Sequence, residues 1–143
     1  GLDNIGLSSH AVFFDYDNDG NADILNGDDE FGVWHLYKNQ EAKPLNYTLV
    51  KVGYAPTSNV DPISALVTVV TPNRTYKKRV GSAGESHSQS LMNIVHFGLG
   101  EEETIEKIEI RYRDGDMVVI DDAIVNAVND TDHMMNIGQM KED

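Results

Sequence analysis

Cysteine is absent from this chain of 143 residues, which removes disulfides, thiolate metal ligands and cysteine nucleophiles together. A chain of this length buries enough surface to fold without such cross-links, so the absence does not by itself fix a reducing compartment. Basic residues are also scarce. Eleven Lys and Arg face 24 Asp and Glu, a net charge of −13 that repels phosphate backbones and anionic headgroups and argues against nucleic acid and membrane partners. No apolar run approaches the roughly 18 residues of a membrane-spanning helix, and no signal-peptide pattern is present. A chain opening on Gly1 reads as a processed mature protein or a piece of a larger one. Proline (4), tryptophan (1) and aromatics as a class (8%) are sparse, yet 40% apolar and 24% charged residues describe a globular chain with a modest core.

What is present is a succession of short apolar runs punctuated by Gly, Asn, Asp and Pro. Ala11 to Phe14, Ala22 to Leu25 and Val33 to Lys38 read as three strands of a small meander, with a turn over Asn26 to Gly32. The pattern continues with Tyr47 to Val52, Ile63 to Val70, Tyr76 to Val80 and Ile94 to Phe97, separated by Ala55-Pro56, Asp61-Pro62, Thr71-Pro72-Asn73 and Gly81 to Gly84. Ile105 to Tyr112 alternates, Arg113-Asp114-Gly115-Asp116 is a hairpin turn into Met117 to Ile120, and Met134 to Ile137 reads as one last strand. The expectation is an all-β chain with two units: residues 1–42, a meander like a single propeller blade, packed on an antiparallel β-sandwich formed by residues 43–143.

The segment Asp15-Tyr16-Asp17-Asn18-Asp19-Gly20-Asn21-Ala22-Asp23 sets carboxylates at relative positions one, three, five and nine. Such hard oxygen donors suit calcium, which takes six to eight oxygens, whereas magnesium prefers few carboxylates and several waters. Gly20 permits the sharp turn, and the Asn21 carbonyl supplies a backbone oxygen, so the candidate ligands are Asp15, Asp17, Asp19, Asn21 and Asp23. An EF-hand would carry Glu at position twelve between helices, but that residue is Asn26 and the flanks are strand-like. The alternative is a solvated acidic turn without a metal.

Phe14 to Leu25, with Gly27, Gly32 and Tyr37-Lys38-Asn39, resembles the FG-GAP or VCBS repeat of integrin-type propellers, in which such a loop binds calcium between two strands of a blade. The resemblance covers about 30 residues, and a single repeat cannot close a propeller. Downstream, Ser58 to Val69, Arg79 to Ser90, His96-Phe97-Gly98-Leu99-Gly100 and Ile105 to Gly115 resemble the ASPIC/UnbV domain, from about Asn46 to Gly138. That family includes the cartilage acidic protein, and its domain typically follows FG-GAP repeats. The resemblance implies the C-terminal region of a secreted, propeller-bearing protein. Two places depart from the family pattern. Tyr112-Arg113-Asp114-Gly115 stands where a Trp-Pro usually precedes the glycine, and Asn59-Val60-Asp61-Pro62-Ile63-Ser64 stands where Asn-Arg-Asp-Ala-Ile-Gly is usual.

Catalytic signals are weak. Ser86-His87-Ser88 and His96 offer a hydroxyl and a base, with Asp114 or Asp116 as orienter, but no Gly-x-Ser-x-Gly elbow occurs. The five histidines, His10, His35, His87, His96 and His133, lack short zinc spacing. Trp34, flanked by Phe31, His35 and Tyr37, suits either a blade core or a face that stacks on a sugar or partner. Three sequons, at Asn46, Asn73 and Asn129, are N-glycan acceptors in a secretory pathway that has the enzymes. The expected function is a calcium-binding extracellular or cell-surface adhesion module, with no catalysis, whose partner is a protein, a carbohydrate or copies of itself. One alternative is a filament or surface assembly built through open strand edges. Another is a hydrolase or its accessory domain.

Overall fold

A computed structural model describes residues 8–17, 19, 21–28, 32–40, 45–81 and 93–131. Ten strands follow one another: β1 (Ser8–Phe14), β2 (Asp23–Asp28), β3 (Val33–Tyr37), β4 (Asn46–Lys51), β5 (Leu66–Val70), β6 (Thr75–Arg79), β7 (Ile94–Gly100), β8 (Lys107–Arg111), β9 (Met117–Ile120) and β10 (Val128–Asp130). They form three sheets, ordered β1-β2-β3, β10-β4-β7 and β6-β5-β8-β9. The architecture is all-β and consistent with a β-sandwich.

The core lies between the second and third sheets. β7 and β8 alternate buried and exposed positions, so Val95, Phe97 and Leu99 point inward from one sheet and Ile108 and Ile110 from the other. Val50, Val67, Val69 and Ile120 complete the same cluster, and each fully buried side chain of this kind contributes about 1.5–3 kcal/mol. The pairing is antiparallel throughout except for β10, which runs parallel to β4 through Val128↔Leu49 and Asp130↔Lys51. A three-residue parallel strand between polar neighbours carries no periodic signal, and the sequence reading made that stretch a loop. The expected strand at Met134 to Ile137 lies outside the described residues.

The strand expected from Ile63 begins instead at Leu66. Asp61 Oδ1 accepts the Ile63 N–H at 2.9 Å, the Ala65 N–H donates to the Pro62 carbonyl, and Ser64 sits at φ 65°. This local turn consumes the backbone groups that a sheet ladder would need.

The meander forms as expected but extends further. β2 runs through Asn26, Gly27 and Asp28, which were read as a turn, because Gly27 pairs with Trp34 and Asp28 with Val33. Among the described residues, none of the meander belongs to the sandwich core cluster. Phe13 (68% exposed) and Trp34 (64% exposed) lie on the surface. Trp34 occupies no core among the described residues; its ring lies over Gly27, where an added Cβ would meet it at 3.1 Å.

Candidate metal site

The loop owes its position to the β1–β2 register. Phe14 pairs with Asp23, so residues 15–22 are the hairpin connection, and Asp15 and Asp23 stand at its two ends. Asp23 is fully buried. Its Oδ2 accepts the Tyr16 N–H at 3.1 Å and its Oδ1 accepts the Asn39 N–H at 2.7 Å. One carboxylate therefore ties the loop entrance to the segment after β3, and these charge-assisted bonds offset the cost of burying it.

Within the loop two of the carboxylates hold backbone further along the chain. Asp15 Oδ1 accepts the Asp19 N–H at 3.1 Å, and Asp19 Oδ1 accepts the Asn21 N–H at 2.9 Å. Side chains that bond nearby backbone groups in this way hold a turn without helix or sheet. The result brings one carboxylate oxygen from each of Asp15, Asp17 and Asp19 within 4.8 Å of one another. Asn21 is buried beside them, and the Asp23 carboxylate is not part of that group of three. Gly20 lies outside the described residues.

Lys38 is the site residue that sequence reading missed. Its Nζ lies against Asp17 Oδ2 and 3.6 Å from Asp19 Oδ2. The ammonium is held protonated above the usual lysine range, chiefly by its hydrogen bond to Asp17. The Asp19 carboxyl is held below the usual range, first by the Asn21 N–H and further by Lys38. The available signal was positional: Lys38 directly follows β3, whose Tyr37 pairs with Ile24 next to Asp23.

All donors gathered here are hard oxygens, three of them carboxylates, and a cation already lies against two. Such a cluster could hold a metal ion. Asp15, Asp17 and Asp19 would hold the ion, with Asp23 anchoring the loop around it.

Of the residues considered for catalysis, His96, Asp114 and Asp116 are among those described. His96 stacks on Tyr47 with centroids 5.8 Å apart and an 18° interplanar angle, and its carbonyl accepts the Lys78 ammonium. Asp116 Oδ2 accepts the N–H groups of Thr57 and Ser58, which hold its carboxyl low, and Asp114 is held low chiefly by the Ser58 side chain. Ser86, His87 and Ser88 lie outside the described residues. A concavity of about 730 Å³ lies between the Pro72 to Arg74 turn and Leu99 to Thr104, where Asn73 donates to Glu102.

Of the three sequons, Asn129 is buried inside the fold. Its Nδ2 donates to Thr48 Oγ1 at 2.8 Å and to the Ile124 carbonyl at 2.9 Å, while its Oδ1 accepts the Ile124 N–H. Thr131, the hydroxyl residue of that sequon, accepts the Gly53 N–H at 2.7 Å. A glycan on Asn129 would break this network.

The sequence profile of the family described as ASPIC and UnbV matches residues 55–133, more than half of the chain. The chain belongs to the ASPIC and UnbV family. The ASPIC and UnbV match is shorter at both ends than the resemblance read from the sequence, and the acidic loop and β1 to β3 lie before it. Its span takes in β5 to β10, and so both layers of the sandwich. His96-Phe97-Gly98-Leu99-Gly100, a sharp part of the resemblance, is most of β7, and Gly100 there adopts φ 67°, where side-chain-bearing residues are strained. Among curated proteins, none matches the chain.

Proposed function

We propose that this chain is a calcium-binding interaction module of an extracellular or cell-surface protein, in which an FG-GAP or VCBS-type calcium unit precedes the ASPIC and UnbV domain. The observation that carries the reading is the convergence of Asp15, Asp17 and Asp19 oxygens within 4.8 Å. Three like charges at that separation repel one another, and the single charge of the Lys38 ammonium offsets only part of this. Calcium meets this demand with two charges and an oxygen-only coordination sphere. Its affinity falls in the weak extracellular range, about 0.1–1 mM, because few carboxylates and a solvent-facing loop make the site. The role is binding rather than catalysis, and the partner is a protein, a carbohydrate or another copy. Exposed Trp34 and Leu36, two residues apart on β3 and so on one face of the meander, support such a contact surface.

One observation favours assembly as a second reading. β1 and β3 are both edges of a three-stranded sheet on which Phe13, Val33, Trp34 and Leu36 are exposed, which suits edge-to-edge addition of further chains. Calorimetric titration of calcium into chelator-treated protein, with sedimentation on the same samples, tests both. Binding lost in an Asp17→Asn, Asp19→Asn variant supports the site, and calcium-dependent growth of the sedimenting species favours assembly. Absence of binding at millimolar calcium contradicts the proposal.

A further inference from the structure

Lys38 carries an inference that rests on the calcium reading above. Its ammonium lies against Asp17 Oδ2 and close to Asp19 Oδ2, two of the three carboxylates an ion would use. The chain around it is anchored: Tyr37 is paired in β3, and the Asn39 N–H is held by buried Asp23 at 2.7 Å. The Lys38 side chain itself is 44% exposed.

We propose that Lys38 is the resident counter-cation of the loop, holding Asp17 and Asp19 together when calcium is scarce and leaving when the ion binds. An ammonium and a calcium ion cannot share the same carboxylate oxygens, because one displaces the other from the lone pairs and the two charges repel. Lys38 therefore competes directly with calcium. It lowers the affinity below what the carboxylates alone would give, and it keeps the loop folded between binding events. The site becomes an exchange of one cation for another rather than a folding switch.

Two readouts on the full chain test this. Calorimetric calcium titration of Lys38→Gln is expected to show affinity raised about threefold to tenfold, since a unit charge a few ångströms from the ion is removed in a salt-screened surface site. Melting followed by Trp34 fluorescence in chelator is expected to fall for the same variant, because the carboxylates lose their counter-ion. Lys38→Arg is expected to stay near the parent in both. A residue that merely braced the loop would give weaker calcium binding in Lys38→Gln, and that result, or equal affinity, overturns the inference while leaving the calcium site standing. No binding in either parent or Lys38→Gln removes the calcium reading and this inference together.

Discussion

Arg113 holds Asp61 through two parallel hydrogen bonds, each 2.7 Å, and so fastens the β8–β9 turn to the segment that leads into β5. Both of the places where the sequence departs from the usual ASPIC/UnbV pattern meet in this pair. The arginine usual before the aspartate is Val60 here, and an arginine stands instead at position 113, across the turn from the same aspartate. Asp116 reinforces the junction by accepting the N–H groups of Thr57 and Ser58.

The pair predicts a specific acid response. The Arg113 guanidinium, aided by the Ile63 N–H, lowers the Asp61 carboxyl from 3.8 to about 2. A carboxyl lowered on folding stabilises the native state above its unfolded value, and that contribution disappears as pH falls through the folded value. The melting temperature of Arg113→Met should lie slightly below the parent by a constant margin from pH 5 to pH 8. The margin should close between about pH 4 and pH 2. The effect is small because the pair is solvent-exposed, and differential scanning calorimetry across that range checks it.

Asn129 is predicted to be structural. Asn129→Ala removes the buried bond to the Thr48 hydroxyl and the part-buried bonds to the Ile124 N–H and carbonyl, which should cost about 1–3 kcal/mol. Thr131→Val, which removes only the acceptor for the Gly53 N–H, should cost about 1–2 kcal/mol. Urea denaturation checks both, and secretion through a glycosylating host should give folded protein without a glycan at Asn129.

Asp23 should separate loop anchoring from metal binding. Asp23→Ala removes the acceptor for both Tyr16 and Asn39 N–H groups, so it should loosen the loop with or without calcium. Asp17→Asn leaves both of those bonds in place and should weaken calcium binding instead. Amide hydrogen exchange at Tyr16 and Asn39, in chelator and in calcium, distinguishes them: protection is lost throughout in the first variant and retained in chelator in the second.

The fold was legible where one face of a strand is buried. The alternation in Ile105 to Tyr112 and around Val95-His96-Phe97 follows directly from residues that must point into the sandwich, and the Met117 to Ile120 strand was read with its observed bounds. β10 was not legible, because its inward residue is Asn129, a polar side chain satisfied by partners far along the chain. Nor was the late start of β5, which depends on the Asp61 side chain outcompeting the ladder. At the candidate site, the spacing of Asp15, Asp17 and Asp19 carried the cluster, since a tight loop turns those positions inward together. Lys38 escaped because its approach depends on the β2–β3 register, 21 residues from Asp17.

The most direct test of the central claim uses Trp34, the single tryptophan, which lies on β3 of the meander. Its fluorescence reports unfolding of the unit that carries the loop. With an affinity of about 1 mM, 10 mM calcium stabilises that unit by about 1.4 kcal/mol. The account predicts that calcium raises the Trp34-monitored melting temperature by several degrees in the parent and leaves Asp17→Asn, Asp19→Asn unmoved. An unchanged transition in the parent, or an equal rise in both proteins, would contradict it.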